Sequence, residues 1–348
     1  ALGNDQTGNG TRERPFRTIG AALHKAAPRD WIYVDAGLYD EAVVIDKDTI
    51  GLMGVNSSAT VIDPPGDSLT RRLYGIYAEK RTGLWIQNIG ITGALDGVHW
   101  FGVAKSTLIA DSVGYCGRYG YYLRMGSEQN TLADNIAIRN MLDGFYLADN
   151  SSHALLNNNT ASDNGCEDYP FRSLMESDED RLDLAADAVA TSRHGTGIHL
   201  FMSPACRLER NVTESNRANG IMFSTRSDRT LAVGNVCRDN GIGFWILSSS
   251  NTVQNNLIVK NNEAGVHLSG SYFNAIAQND ILQNDTGVRL SGRSENNLIV
   301  KNNISENRVH NVFVESGSQS SLIRNWWGTT DELSIRPSLA SRATFIPY

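Results

Sequence analysis

The chain has 348 residues and a formal net charge of −7, and it is rich in glycine, with 32 residues, and in asparagine. The acidic balance, with no basic patch to offset it, argues against a nucleic-acid partner. No apolar run approaches the roughly 18 residues that a membrane-spanning helix requires. The length permits a large core, and the repeats described below indicate one continuous core in a single domain.

Residues 1–30 are predicted to cap one end of the fold. Thr18 can serve as the N-cap of a short helix that Pro28 ends. The apolar face of this helix comprises Ile19, Ala22, Leu23 and Ala26. Because a stack of repeats leaves its first core layer open, we interpret this helix as a lid on the core, and residues 326–348 as the corresponding C-terminal cap.

From Gly75 onward the sequence repeats a glycine, alternating apolar residues, a Ser/Gly-rich break and two asparagines. The copies begin at Gly75, Gly97, Gly120, Gly144, Gly197, Gly220, Gly243, Gly265, Gly287 and Asn311. Successive starts lie 22 to 24 residues apart, except for one step of 53 between Gly144 and Gly197. Three short β-rich runs per copy, separated by turn-forming residues, predict one coil of a parallel β-helix. We therefore predict an all-β fold of about eleven coils.

Two asparagine positions recur once per coil and are predicted to stack as structural ladders, since an asparagine amide can bond to the next coil. The first set is Asn135, Asn159, Asn211, Asn235, Asn256, Asn279 and Asn303. The second set is Asn140, Asn164, Asn216, Asn240, Asn262, Asn284 and Asn307. Asp111 and Asp134, on a different strand, are expected to face solvent or a cation.

The long step places roughly 30 extra residues at about 165–196. Ser177 can cap a helix whose first turn, Asp178-Glu179-Asp180, favours the positive end of the helix dipole. One interpretation is a solvated, charged loop that decorates the fold. The other is a lid beside His199 that brings Asp168 near a site, and its acidity suits a neutral or basic sugar better than a uronate polymer.

Three stretches of the sequence resemble a known superfamily. GNGTRERPFRTIGAALHKAAPRDWIYVDAGLYDE resembles the N-terminal part of pectate-lyase-like right-handed β-helices, and NTLADNIAIRNMLDGFYLADNSSHALLNNNTASDNG resembles their carbohydrate-binding and sugar-hydrolase repeats. NWWGTTDELSIRPSLASRATFIPY is similar to the end of periplasmic β-helix proteins of the nitrous-oxide-reductase maturation type. The resemblance implies a right-handed β-helix that is secreted or periplasmic. The copper association of the last group is not carried over, because no matching ligand motif is present.

The strand after each column glycine should place the second and fourth residues on the outer face of the coil. The second position reads His99, Tyr122, Tyr146, His199, Met222, Trp245, His267, Arg289 and Phe313. The fourth reads Phe101, Arg124, Ala148, Phe201, Ser224, Leu247, Ser269, Ser291 and Glu315. Either loops or a partner cover this aromatic face, or it forms a groove for an extended glycan, since aromatic rings stack on sugars and Arg and His pair with carboxylates.

The centre of this face suggests uronate chemistry. Removing a proton beside a uronate carboxylate requires a base, an acid and a cation. We assign the base to His199 or Tyr146, the acid to Tyr122 and the cation to Arg124, while Asp149 would orient His199 or bind the sugar. The predicted substrate-binding residues are His99, Phe101, Asp143, Asp168, Phe201, Trp245, His267 and Arg289. These residue types recur in β-helix uronate lyases and C5-epimerases, although the Asp-Pro-His motif of alginate epimerases and the clustered aspartates of pectate lyases are absent.

Two alternatives to a lyase or epimerase stay open. A glycoside hydrolase or glycosyl transferase would use two carboxylates chosen from Asp143, Asp149 and Asp168. A non-catalytic carbohydrate-binding or surface structural β-helix would use the same face without chemistry. The sequence contains no HxxxH or HxH spacing of the kind that predicts a metal site. We therefore expect no cofactor, with bound Ca²⁺ as the alternative.

The expected partner is a polysaccharide or oligosaccharide, and the expected state is a monomer. The chain opens on ALGNDQTGNG without a signal peptide, which is typical of a mature or trimmed N-terminus. The four cysteines occupy different places in their copies, so we expect buried free thiols, with a disulfide of Cys166 as the alternative.

Overall fold

The structure, a computed structural model, describes residues 3–65, 74–166, 194–329 and the short strand at 345–346. In these residues one helix, Ile19–Lys25, precedes three parallel sheets that together wind into a right-handed β-helix. No helix in this part of the chain is long and apolar enough to span a membrane. The predicted all-β solenoid of about eleven coils is confirmed, while residues 167–193, including Asp168 and the proposed lid helix, lie outside the described residues.

Each coil contributes one short strand to each sheet. The first sheet has 13 strands: Trp31–Val34, Gly51–Gly54, Trp85–Gln87, Thr107–Ile109, Thr131–Ala133, Leu155–Asn157, Arg207–Glu209, Leu231–Val233, Thr252–Gln254, Ala275–Ala277, Glu295–Val300, Gln319–Ile323 and Phe345–Ile346. The second sheet has 11: Gly37–Tyr39, Thr60–Ile62, Gly90–Thr92, Ser112–Gly114, Ile136–Ile138, Thr160–Ser162, Val212–Glu214, Val236–Arg238, Leu257–Val259, Asp280–Leu282 and Asn303–Ser305. The third sheet also has 11: Val43–Ile45, Ile76–Glu79, Val98–Phe101, Tyr121–Arg124, Phe145–Leu147, Ile198–Leu200, Asn219–Phe223, Ile242–Ile246, Ala264–Ser269, Thr286–Ser291 and His310–Val314.

The core is the interior of the coil, and the short helix packs on its open N-terminal end. Ile19 and Leu23 of this helix are buried, and the Thr18 hydroxyl accepts a hydrogen bond from the Ala21 N–H at 3.1 Å, as an N-cap should. At the other end of the helix, Lys47 Nζ donates to the carbonyls of Leu23, His24 and Ala26, which satisfies acceptors that a helix C-terminus leaves open. The helix is therefore tied to the first coil at its polar end as well as through its apolar face.

The asparagine ladders form, with two corrections to the predicted membership. The first ladder runs through Asn279, Asn302 and Asn325, and the second through Asn240, Asn261 and Asn284, so Asn302 and Asn261 replace Asn303 and Asn262. Both errors fall on Asn-Asn pairs, in which only the first residue is buried in the ladder and periodicity cannot tell the two apart. A third ladder through Asn251, Asn274 and Asn297 was missed.

Each ladder asparagine follows a residue in the left-handed conformation. Asn158, with φ +55°, precedes Asn159, and Lys301, with φ +56°, precedes Asn302. This turn points the next side chain into the corner of the coil, where its Oδ1 accepts the backbone N–H of the ladder residue one coil earlier and its Nδ2 donates to the next Oδ1. The left-handed residue is thus the neighbour of the ladder asparagine, not the asparagine itself.

Asp111 occupies the first ladder and does not face solvent, so its predicted exposure is wrong, whereas Asp134 is exposed. Its Oδ1 accepts the Ile89 N–H at 2.8 Å, and its own N–H donates to Asn135 Oδ1 at 3.0 Å. Burial raises the pKa of Asp111 to about 8. The carboxyl is therefore protonated at neutral pH and stands where the other coils have an amide.

The insertion leaves the coil without disturbing it. Gly165 and Gly195 lie side by side with φ of +87° and +101°, and a Cβ on either would come within 2.6 Å of the other residue's Cα. Because the two ends meet, Tyr146 and His199 are direct neighbours across the third sheet, 53 residues apart in sequence, as predicted. All four cysteines are free thiols; Cys116, Cys206 and Cys237 are buried, and burial raises the pKa of Cys206 and of Cys237 to about 12.

Candidate functional site

The second-position residues align across the third sheet as predicted. Direct neighbours run through Tyr77, His99, Tyr122, Tyr146, His199, Met222, Trp245, His267, Arg289 and Phe313. Four of them form a continuous row of ring contacts: His99 meets Tyr122 edge-on with centroids 4.9 Å apart, and two stacked pairs follow, at 5.1 Å for Tyr122–Tyr146 and 4.8 Å for Tyr146–His199. We call these four residues the aromatic stripe.

The aromatic stripe is buried although it lies on the outer face of the coil. Its side chains are only 2 to 4% exposed, and Tyr119 packs 4.7 Å from Tyr122 and 4.8 Å from Tyr146. With Leu142, Ala148 and Phe201 these tyrosines form a second apolar cluster outside the coil interior. These four rings therefore match the alternative in which the aromatic face is covered. A ligand would approach them along the half-buried residues beside them, Phe101, Arg124 and Phe201.

Both ring nitrogens of His199 are engaged. Nδ1 lies 2.9 Å from Asp143 Oδ2, and Nε2 lies 2.9 Å from Ser224 Oγ. The other oxygen of Asp143 accepts the backbone N–H groups of Gly195 and Thr196, at the end of the insertion. Asp143 thus orients His199 and anchors the chain where the insertion returns to the coil, which corrects the assignment of that orienting role to Asp149.

A second Asp–His pair occupies the other end of the stripe. His99 Nδ1 lies 2.8 Å from Asp96 Oδ2, and Arg118 donates to both oxygens of the same carboxylate, at 3.0 Å and 2.7 Å. Burial alone would raise the pKa of Asp96, but Arg118 and His99 outweigh it and hold that pKa well below its usual range. Asp96 is therefore a fixed carboxylate, and Nδ1 of His99 must carry the hydrogen of their bond.

Arg124 and Asp149 form the accessible polar edge of the stripe. Arg124 Nε lies 3.8 Å from Asp149 Oδ2, and the two side chains are 20% and 32% exposed. The guanidinium also lies over the rings of Tyr122, at 5.3 Å, and Phe101, at 5.8 Å. A cation and a carboxylate thus stand directly beside the tyrosine assigned as the acid.

A separate group of predicted binding residues lies farther along the same sheet. The rings of Trp245 and His267 stack at 5.7 Å, and His267 Nε2 lies 2.8 Å from Ser291 Oγ. Burial, and then the charge of Arg289, lower the pKa of His267 to about 4, so this imidazole is neutral at physiological pH. Arg289 itself is exposed, with its guanidinium 5.7 Å from the Phe313 ring.

The structure thus brings Tyr122, Arg124, Tyr146, Asp149 and His199 together, with His99, Phe101, Asp143 and Phe201 around them. Trp245, His267 and Arg289 lie on later coils. Sequence reasoning missed three contacts of the site: Arg118 with Asp96, Tyr119 with the two tyrosines of the stripe, and Ser224 with His199. The residue before each column glycine, which reads Asp96, Tyr119 and Asp143, was the available signal.

The described residues contain no set of ligands for the copper that is associated with the nitrous-oxide-reductase maturation group. No three His, Cys, Asp or Glu side chains within residues 3–65, 74–166 and 194–329 come together as they would to hold an ion. The carboxylates nearest the histidines are already bound, Asp96 by Arg118 and Asp143 by two backbone N–H groups. These residues do not fit a copper centre, and we route no chemistry through one.

Three family models match consecutive parts of the chain. The model described as a protein of unknown function (DUF1565) matches residues 1–52. The model of a right handed beta helix region matches residues 43–173, and that of the periplasmic copper-binding protein (NosD) matches residues 178–336. No curated protein matches the chain in sequence.

Several solved structures share this fold. The A-module of the mannuronan C-5 epimerase AlgE6 of Azotobacter vinelandii is 21% identical over 88% of each chain, with a TM-score of 0.71. The periplasmic alginate epimerase AlgG is 14% identical over 89% of this chain and 82% of its own, with a TM-score of 0.60. The pectate lyase Pel9A is 15% identical over 77% of each chain, with a TM-score of 0.51. At such identities the likeness is one of fold: the chain shares the right-handed parallel β-helix of these structures.

Proposed function

We propose that this chain is an extracytoplasmic polysaccharide-active enzyme that removes the C5 proton of a uronate residue, as a lyase or a C5-epimerase. The observation that carries the proposal is the stack of two tyrosines between two carboxylate-bound histidines, with Arg124 beside it. Proton-transfer groups and a cation thus occur together over four coils of one sheet.

The chemistry requires this combination because the C5 proton is weakly acidic. Pairing the uronate carboxylate with a cation stabilises the negative charge that develops when the proton leaves. Arg124 can provide that cation while Asp149 binds sugar hydroxyls, and the tyrosine and histidine rings can exchange protons with the substrate. Phe101 and Phe201, partly exposed beside the stripe, offer stacking surfaces for sugar rings, and Trp245, His267 and Arg289 extend the binding face along the glycan.

The similar proteins support the same class of substrate. Two of the similar solved structures are alginate epimerases and one is a pectate lyase by their titles, and the NosD family and AlgG are described as periplasmic. The absence of the Asp-Pro-His motif means that a different set of residues would perform the reaction here.

The contacts of the carboxylates favour proton abstraction over two-carboxylate hydrolysis. Hydrolysis needs an acid and a base or nucleophile roughly 5 to 9 Å apart that both reach the glycosidic bond. Asp96 and Asp143 are buried and bound to Arg118, His99, His199 and backbone N–H groups, and Asp149 pairs with Arg124. Bound Ca²⁺ stays a prediction. Measuring the activity before and after adding a chelator would test it.

A panel of uronate polymers tests the proposal. The protein is incubated in D₂O with alginate, polygalacturonate and glucuronan, and ultraviolet absorbance, reducing ends and proton spectra are followed. Unsaturated ends indicate a lyase, and deuterium at C5 without chain cleavage indicates an epimerase. Reducing ends alone would replace the proposal with a hydrolase, and binding without any reaction would replace it with a non-catalytic carbohydrate-binding protein.

A further inference from the structure

The two histidines of the aromatic stripe differ in what their second nitrogen can do. His199 Nε2 is 2.9 Å from Ser224 Oγ, and Ser224 is itself 1% exposed, with its Oγ 3.1 Å from the Leu200 carbonyl. His99 Nε2 has no hydrogen-bond partner among residues 3–65, 74–166 and 194–329. Because His99 is 4% exposed, this is an unpartnered polar atom on a nearly buried side chain.

The network behind His99 fixes which nitrogen carries the proton. Asp96 is fully buried, and Arg118 binds both of its oxygens, so it is a carboxylate that can only accept. The hydrogen shared with His99 therefore belongs to Nδ1, and a neutral His99 presents a bare lone pair on Nε2. The buried carboxylate acts as it does behind a catalytic histidine, by fixing the tautomer and favouring the imidazolium that forms.

Of the two histidines, His99 is the one that lies beside Tyr122, the proposed acid, on the strand that also carries Arg124, the proposed cation. Its ring is 4.9 Å from that of Tyr122, on the neighbouring strand, and the Arg124 guanidinium is 5.3 Å from the same Tyr122 ring. His199 is one coil farther away, because Tyr146 stands between it and Tyr122. The rings of Tyr74 and Tyr77, at 4.2 Å and 5.7 Å, give a protonated His99 aromatic faces to lie against.

We infer that His99, held by Asp96 and Arg118, is the imidazole that takes the C5 proton, whereas His199 is a positioning residue tied to Asp143 and Ser224. The inference rests on the proposed function. The proton moves from C5 to Nε2, and the C–H electron pair spreads into the uronate carboxylate, whose charge Arg124 offsets. In a lyase, that pair then forms the C4–C5 double bond while the C4–O bond breaks and Tyr122 protonates the leaving oxygen. In an epimerase, Tyr122 donates its hydroxyl proton to the opposite face of C5, and the electron pair returns from the carboxylate to form the new C–H bond.

Matched glutamine variants test the assignment in turnover. His99→Gln should lower kcat by about 100-fold or more, as loss of a general base does, and His199→Gln by less than about tenfold. His24→Gln, on the exposed side of the N-terminal helix, is the control. Thermal unfolding of each variant identifies one that fails to fold. An active His99→Gln beside an inactive, folded His199→Gln overturns the inference and leaves the proposed function intact.

Imidazole nitrogen resonances give a second readout that needs no turnover. In the wild-type protein, at a pH that leaves its ring neutral, His99 should show a protonated Nδ1 and a bare Nε2, and the Nε2 signal should move when an alginate trimer is added. Asp96→Asn should mix the two tautomers. A protonated Nε2, or an Nε2 signal unchanged by the trimer while other stripe residues respond, overturns the inference. Bare, responsive Nε2 in a protein that turns over no polymer would confirm the tautomer and the ligand contact of His99, but it would contradict the proposed reaction and with it the transfer of the C5 proton to His99.

Discussion

The asparagine ladders and the aromatic stripe are both columns that recur once per coil, but they use the repeat in opposite ways. In the ladders the same residue recurs, and each amide accepts from the coil before it and donates to the coil after it. In the stripe the residue is not constant, and the polar contacts join side chains of different types: Asp96 with His99 on the same coil, and Asp143 with His199 on the next coil.

The difference follows from what each side chain can do for an identical neighbour. An amide is both a donor and an acceptor, so a column of amides satisfies itself without help. Two carboxylates or two cations at successive coils would repel each other, so charged groups must alternate with aromatic rings and find partners of another type. A column that repeats therefore stabilises the scaffold by itself, whereas a column that changes from coil to coil depends on partners outside the column.

The sharpest test on the ladder side compares the two residues of one Asn-Asn pair. Asn302→Ala should destabilise the protein by about 3 kcal/mol, because it removes several buried hydrogen bonds and leaves the Asn279 N–H without its acceptor. Asn303→Ala removes only partly exposed contacts to Asp280 and Ser305 and should cost less than about 1 kcal/mol. Chemical unfolding of both variants measures the difference. Equal losses would contradict the assignment of Asn302 to the ladder.

The matching test on the stripe concerns Arg124. Arg124→Gln should lower kcat by about 100-fold, since the developing charge on the uronate loses its cation, while the unfolding midpoint changes little. The control is Arg238→Gln, which removes another arginine paired with a carboxylate, that of Glu214, on the second sheet. Equal activity of the two variants would remove Arg124 from the proposed site.

The repeat made much of this arrangement predictable. The column glycines mark the register on both sides of the insertion, and they are required there because a Cβ at Gly144 would lie 2.8 Å from the Gly197 carbonyl oxygen. This is why the pairing of Tyr146 with His199 could be predicted across 53 residues.

Periodicity carries no information about side-chain rotamers, however, and so it could not distinguish Asp143 from Asp149 as the partner of His199. Nor could it place Arg118 on Asp96, because the long arginine side chain reaches to the adjacent coil. The same limit hid the burial of Asp111, which stands in the ladder without being an asparagine.

Asp111 places a carboxyl group in the first ladder in place of an amide, and replacing it should strengthen the column. The folded pKa is raised to about 8 by burial, whereas an exposed aspartate has a pKa of roughly 4. The favourable contribution of the protonated form is therefore fully present below about pH 4 and is lost as the pH rises through about 8. Asp111→Asn should raise the free energy of unfolding by about 2 kcal/mol at pH 8 and very little at pH 4.

Urea unfolding at several pH values measures this effect, with Asp134→Asn as the exposed control on the neighbouring coil. If the difference in free energy of unfolding between Asp111→Asn and the wild-type chain were the same at pH 4 and pH 8, the buried carboxyl would not be the source of the pH dependence.

The smallest expected effect concerns the hydroxyl group beside His199. Ser224→Ala removes the partner of His199 Nε2 and leaves the Asp143 bond in place. If His199 only positions the stripe, kcat should fall by less than about fivefold, because the stacked Tyr146 and the carboxylate still hold the ring. Ser291→Ala, which removes the corresponding hydroxyl from His267, is the matched control on a later coil. A loss above about 100-fold for Ser224→Ala alone would show that the Asp143–His199–Ser224 chain takes part in proton transfer, and the division of labour between His99 and His199 would then be reversed.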